Sequence, residues 1–77
     1  MQINLQSKNM ELTEAIKDYS KAIALDPKYA LANNYRAVCY FRIKKFALSR
    51  KDVHNAQMLG LPISKELLDG LSKNLKS

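Results

Sequence analysis

A chain of 77 residues has room for one domain with a thin core, since a chain this short hides only about 60% of the surface that its unfolded form exposes. With 47% hydrophobic and 26% charged residues and only two Gly and two Pro, the composition predicts a globular helical protein and excludes a disordered or fibrous one. The longest apolar run, residues 38–43, contains Arg42 and is far shorter than the roughly 20 residues that span a membrane. The N-terminus lacks the basic and apolar stretches of a secretion signal, and a single cysteine cannot build a disulfide framework. We therefore expect a cytoplasmic protein, with no membrane contact, in which Cys39 is buried and reduced.

The formal net charge of +6 raises nucleic acid or an acidic molecule as a partner. Most of the basic residues are spread along the chain, and only one stretch is dense, with no acidic residue before Asp52. We interpret this basic patch as a solvated helix end and turn, and we keep a site for acidic groups as the alternative. The basic patch consists of Arg42, Lys44, Lys45, Arg50 and Lys51.

The first predicted helix begins at Glu11. Its apolar residues recur at steps of three and four, which is the spacing of one face of an α-helix. Asp26–Pro27 ends it, because proline disfavours helical geometry at the preceding residue and has no amide hydrogen to donate. The apolar face consists of Leu12, Ala15, Ile16, Tyr19, Ala22 and Ile23.

Three further helices are predicted after this turn. The second runs from Ala30 to about Ile43, and Lys44–Lys45 forms a short connection. The third ends at Gly60, a residue that readily adopts the left-handed conformation of helix ends, and Pro62 reinforces the stop. Ser64 is the expected N-cap of the last helix. The inner faces consist of Phe46, Ser49, Val53, Ala56 and Leu59 in the third helix and of Leu67, Leu68, Leu71 and Leu75 in the fourth, where Gly70 costs about 1 kcal/mol relative to Ala.

The chain repeats itself at an offset of 34 residues, so the first and third helices are the same element. A period of 34 residues with two helices per unit is typical of one helical repeat architecture. The pairs at this offset are Lys17–Asp18–Tyr19 with Lys51–Asp52–Val53, Leu12 with Phe46, Ala22 with Ala56, and Leu25 with Leu59.

Residues 11–62 resemble the tetratricopeptide repeat (TPR), most strongly in Ala15-x3-Tyr19-x2-Ala22-x4-Pro27. In that pattern small residues let helices approach, the aromatic residue fills the gap between hairpins, and proline ends the unit. The resemblance implies an all-α, TPR-like helix-turn-helix fold that forms a single domain over residues 1–77. Its parts are an irregular N-terminal segment (1–10), the second helix of a partial repeat (11–27), a full repeat (28–61) and a C-terminal capping helix (62–77).

The full repeat departs from the family pattern at three positions. Asn33 and Val53 stand where aromatic residues are usual, and Pro62 arrives one residue late. These changes suit a terminal repeat whose outer side packs on a cap.

The resemblance also implies a binding surface, because the first helix of each TPR unit lines a concave groove that holds peptides or partner helices. Asn34 is expected to bond a peptide backbone, Val38 and Phe41 to contact apolar side chains, and Arg42 to meet a carboxylate. The alternative is that these residues pack within the chain or face water. The predicted groove residues are Leu31, Asn34, Val38, Phe41 and Arg42.

Few residues have the chemistry of a catalytic or metal site. Cys39 and His54 are the only nucleophile and base worth pairing, and the repeat gives them no reason to meet. The acidic residues are scattered and expected on solvated faces. Gly60 and Gly70 stand alone, so there is no phosphate-binding loop, and no ligand cluster suits zinc. We predict no catalytic residue, no metal and no cofactor.

The predicted first helix has lost the regular partner of its repeat. Its apolar strip would be larger than monomers usually leave exposed, and about three repeats are usually needed for independent stability. Either the N-terminal segment folds back over the strip or a second copy of the chain covers it, as a homodimer about a two-fold axis or by exchange of a helix. The polar character of residues 2–9 favours the second copy. The strip consists of Leu12, Ile16, Tyr19 and Ile23.

These observations predict a protein-protein interaction module of the scaffold or adaptor kind, without catalysis and with a protein or peptide partner. Two alternatives stay open: binding of nucleic acid or another acidic partner by the basic patch, and a structural role at the end of a larger assembly. Salt dependence separates the first alternative, because phosphate contacts weaken steeply between about 50 and 200 mM salt.

Overall fold

The computed structural model describes the backbone of residues 5–74 and the side chains of residues 10–74, and it is helical as predicted. Short turns join the helices, and no helix in the described part is long and apolar enough to cross a membrane. The helices are α1 (Leu5–Leu25), α2 (Ala30–Arg42), α3 (Phe46–Met58) and α4 (Lys65–Lys73).

Helix α1 begins earlier than the sequence pattern predicts. Residues 5–10 are helical and continue directly into the predicted helix, so the prediction of an irregular segment is wrong for them. The reason is local, since residues 5–25 contain neither glycine nor proline and nothing interrupts helical propagation before Pro27. The helix ends as expected, with the amide of Asp26 donating to the carbonyl of Ala22 over 2.9 Å. Residues 1–4 lie outside the described part.

Helices α2 and α3 end in the same way. In α2 the amide of Lys44 donates to Phe41 and the amide of Lys45 to Tyr40, the paired bonds of a Schellman motif. Gly60 occupies the equivalent position after α3 with φ of 92°, the left-handed conformation that was predicted for this residue. Lys44 adopts the same left-handed conformation with φ of 65°, at a position that usually favours glycine. The turn between α2 and α3 therefore forms without glycine.

The core lies where α2, α3 and α4 meet. Ala37 and Ala56 are fully buried, and the hydroxyl of Ser49 donates to the carbonyl of Ala37 over 2.7 Å. Small residues at this crossing bring the backbones of α2 and α3 together. Val53 completes the buried cluster with two leucines of α4, Leu67 and Leu71.

Helix α4 caps this core. Its N-terminus begins at Ser64, whose hydroxyl accepts a hydrogen bond from the amide of Leu67 over 3.2 Å, as predicted. Leu67 and Leu71 are buried and Leu68 is exposed, whereas Leu75 lies outside the described part. Gly70 lies against Phe41, and a Cβ added to it would stand 2.6 Å from the ring atom Cζ. The glycine that weakens α4 as a helix thus allows α4 to approach α2.

Candidate functional site

The predicted groove residues all lie on α2. Val38, Phe41 and Arg42 line a shallow cavity of about 240 Å³ between α2 and α4, which Leu31 and Asn34 do not line. Leu31 is exposed and Asn34 half-buried. The opposite wall of the cavity is formed by Ser64, the N-cap of α4, and by Glu66 and Leu67 of α4.

Phe41 has contacts within the chain. Its ring lies against Gly70, and it meets the ring of Phe46 edge to face with centroids 5.3 Å apart. Phe41 remains half-buried, and so does Val38 beside it. Phe41 therefore holds α4 in place and also forms part of the cavity wall.

The cavity combines an apolar interior with two opposite charges. Val38, Phe41 and Leu67 supply the apolar surface, and the exposed residues Arg42 and Glu66 supply a cation and a carboxylate. A space of this size is comparable to one apolar side chain, and both charged residues are open to solvent.

The basic patch is divided in the structure. Arg42 lines the cavity beside α4, whereas Lys44 and Lys45 line a separate cavity of about 430 Å³ with Ala47 and Leu48. Arg50 Nη1 donates to the carbonyl of Asn74 over 2.9 Å, which directs this cation toward the end of α4. Four of the five basic residues therefore lie at three separate places, and the fifth, Lys51, is exposed on α3.

One polar cluster was missed by the sequence analysis. Arg36 of α2 binds the carboxylate of Asp52 in α3 with two bonds, Nε to Oδ2 over 2.7 Å and Nη2 to Oδ1 over 2.8 Å. Its third nitrogen, Nη1, donates to the hydroxyl of Ser20 in α1 over 3.0 Å. The ring of Tyr40 lies 5.7 Å from the guanidinium carbon. One guanidinium thus joins three helices.

The prediction that acidic residues lie on solvated faces is wrong for Asp52, which is only 2% exposed. Its hydrogen bonds to Arg36 raise the pKa of the guanidinium, against the opposing effect of burial. The sequence held a signal for this position, because Asp52 shares the inner-face spacing of Ser49, Val53 and Ala56.

Cys39 and His54 differ in their surroundings. Cys39 is a free, buried thiol on α2, as predicted, and burial raises its pKa while the charge of Arg42 opposes the change. His54 lies exposed on α3. Among residues 10–74, no group of three or more His, Cys, Asp and Glu side chains could hold a metal ion.

Helical hairpins that pack through small residues and recur every 34 positions define a helical-repeat protein. Residues 11–44 match the family model described as TPR repeat, and the four helices of the described part are consistent with a TPR-like fragment. The match spans α1 from Glu11, all of α2 and the following turn, and it confirms the predicted resemblance for these residues. TPR repeats typically act as non-catalytic scaffolds for protein interactions. Comparison with curated proteins and with solved structures gives no match.

Proposed function

We propose that this chain is a cytoplasmic protein-interaction module without catalytic activity, and that it binds a peptide or helix along α2. The observation that carries the proposal is the apolar cavity on a TPR-matched helix, with Arg42 and Glu66 at its exposed positions. The proposed contact surface consists of Leu31, Asn34, Val38, Phe41 and Arg42.

Each part of this surface has a separate role in the proposal. An apolar side chain of the partner occupies the space beside Val38 and Phe41, and its burial supplies most of the affinity. Arg42 binds a carboxylate of the partner and fixes the direction of the chain. Asn34, about two helical turns before Arg42, bonds the partner's backbone. Leu31 extends the apolar contact toward the start of α2.

Short synthetic peptides test this proposal. The probes are hexapeptides with one central leucine and either a free or an amidated C-terminus, titrated into isotopically labelled protein while amide chemical shifts are recorded. We expect shift changes at Val38, Phe41 and Arg42, with weak salt dependence and tighter binding of the free carboxylate. In the Arg42→Gln variant, the preference for the free carboxylate should disappear, whereas exposed Lys51→Gln is the matched control.

Two outcomes contradict the proposal. One is an absence of shift changes on α2 with every hexapeptide at millimolar concentration. The other is a response at Lys44, Lys45 and Lys51 to a single-stranded oligonucleotide that falls steeply with salt, which favours the nucleic-acid alternative.

A further inference from the structure

The described helices pack side by side, and the helices at the two ends, α1 and α4, each lack the partner helix of a hairpin. Helix α3 contacts both α2 and α4, whereas α1 contacts α2 alone within the described part. The two helices also differ in side-chain burial, because α3 has fully buried side chains and residues 10–25 of α1 have none. The positions buried in α3 are Ser49, Asp52, Val53 and Ala56, and their counterparts in α1, which are half-buried or exposed, are Ala15, Asp18, Tyr19 and Ala22.

The other end of the stack carries an open groove between α3 and α4, with a cavity of about 280 Å³. In the hairpin of α2 and α3, helix α3 packs against helix α2. Helix α4 has no such second helix in the described part of the chain. The groove is lined by Arg50, Val53, His54 and Gln57 from α3 and by Leu68, Leu71 and Ser72 from α4.

Helices α1 and α4 carry small residues at the positions that correspond to the small residues of the α2–α3 crossing. Pro62 arrives one residue late, so α4 aligns with α2 at an offset of 35 residues, which places Ser72 at the position of Ala37. Within the hairpin, Ala37 meets Ser49 of α3 through a hydrogen bond of 2.7 Å. Ala15 is the counterpart of Ser49 in α1. The pair of Ser72 and Ala15 therefore repeats the small-residue crossing of the hairpin with the two residue types exchanged.

We propose that this chain assembles head to tail, with α1 of one copy seated in the groove between α3 and α4 of the next copy. Ala15 then lies against Ser72, and α1 covers the exposed Leu68. Helices α4 and α1 of successive copies then form a composite hairpin with the small-residue crossing of α2 and α3, in which Leu71 stands at the position of Arg36 and Asp18 at that of Asp52, so the ion pair of the hairpin is not repeated.

Charge favours a second copy as the occupant. The hairpin geometry places the N-terminal half of α1 beside the C-terminal end of α4. Glu11 is exposed on that half of α1, and Lys73 is exposed in the last turn of α4, whereas Glu14 pairs with Lys17 of its own helix over 3.8 Å. Opposite charges at the rim steer and orient such a contact more than they strengthen it.

The two surfaces in this contact differ, so it is not two-fold symmetric. Head-to-tail contacts close into rings or continue as open stacks, and each added copy presents a new free end. Association should therefore continue beyond two copies as concentration rises.

Two blocking variants test the direction of assembly. Ser72→Arg obstructs the groove and leaves α1 free, and Ala15→Arg obstructs α1 and leaves the groove free. We expect sedimentation equilibrium to give each variant the mass of one copy, 8.8 kDa, and their equimolar mixture the mass of two copies and no more. The unmodified chain should exceed two copies.

A milder pair keeps the test decisive if Ala15→Arg loses its helical circular-dichroism signal. In a Cys39→Ala background, chains with Ala15→Cys and chains with Ser72→Cys are mixed and oxidised. A disulfide should link the two kinds of chain, and Lys21→Cys on the same helix is the control that should not link to Ser72→Cys.

Three results overturn the proposal. They are a mass of one copy for the unmodified chain at all concentrations, dimers formed by each blocking variant alone, and equal cross-linking of Ala15→Cys and Lys21→Cys. The test leaves Val38, Phe41 and Arg42 unchanged, so its failure is distinguishable from failure of the peptide-binding proposal.

Discussion

At the scale of single residues, Arg36 has polar partners on two neighbouring helices. It pairs with buried Asp52 and also binds Ser20, while its own side chain is 19% exposed to solvent. A buried carboxylate that loses its cation is left without compensation, which is far more costly than replacing both partners with apolar residues. The pair therefore matters most when only one partner is removed.

We expect Arg36→Ala to lower the free energy of unfolding by about 3 kcal/mol, a large share of the stability of a domain this small. The double variant Arg36→Met with Asp52→Leu should lose much less. Urea unfolding followed by circular dichroism measures both changes. The control is Lys51→Ala, an exposed residue that should change stability by less than about 0.5 kcal/mol. Equal losses in the single and double variants would contradict this account.

Cys39 should react slowly with thiol reagents in the native protein, because the thiol is buried and its pKa is raised by that burial. At neutral pH the thiol is protonated and uncharged in both the folded and the unfolded chain. Its burial therefore carries no free-energy cost of desolvating a charge. Above the ordinary cysteine pKa of about 8.5, the unfolded chain ionises first. The fold therefore loses stability as the pH rises through the raised pKa.

Labelling with a chromogenic disulfide reagent in native buffer and in urea measures the difference in reactivity. Thermal melts at pH 7.5 and 9.5 test the linkage, with Cys39→Ala as the control that should show a smaller decrease in melting temperature. Equal labelling rates in buffer and in urea would show that Cys39 is accessible.

At the scale of secondary structure elements, the contact between α2 and α4 depends on Gly70. Alanine favours a helix over glycine by about 1 kcal/mol, but the added Cβ would stand 2.6 Å from Phe41. The ring of Phe41 is braced by Phe46 and has little freedom to move away. Packing and helix propensity therefore oppose each other at this position.

We expect Gly70→Ala to destabilise the protein by about 1 kcal/mol, since overpacking of 1–3 kcal/mol exceeds the gain in propensity. Adding Phe41→Leu should relieve the overlap and make Gly70→Ala neutral or favourable. Chemical denaturation of the four members of this double-mutant cycle measures the coupling. Asp69→Ala, at an exposed position of α4, is the control for propensity alone.

Local sequence signals predicted the elements well. Pro27, Gly60 and Ser64 each act through their own backbone or cap geometry, so they located two helix ends and one beginning. Lys44 gave no such signal, because its left-handed conformation is imposed by the turn between α2 and α3. The start of α1 was missed since polar residues without glycine or proline are compatible with both helix and irregular structure.

Tertiary contacts were harder to predict than elements. The role of Gly70 depends on a ring of α2 that lies 29 positions earlier in the chain. The position of Asp52 on an inner face was readable, but its partner Arg36 was not, since side-chain pairing between helices depends on their crossing. For the same reason, the sequence named Val38, Phe41 and Arg42 but not Glu66, which stands across the cavity.

At the scale of the whole molecule, the proposed peptide-binding and assembly surfaces lie on different sides of α4. The first is formed with α2 and the second with α3. Because different residues line these cavities, a ligand on α2 does not occupy the place of a second copy. The two proposals are therefore compatible, because a peptide on α2 and a second copy in the groove between α3 and α4 would use different residues.

The uneven burial of α1 and α3 also sets an order of opening. Local opening costs least where few side chains are buried, and amide hydrogen exchange reports that cost for each helix. In dilute protein, amides of α1 should exchange fastest and those at the α2–α3 crossing, near Ala37 and Ser49, slowest. At high concentration, where α1 of one copy is proposed to bind the groove of the next, the amides of α1 should gain protection from exchange. The amides near the α2–α3 crossing should change little.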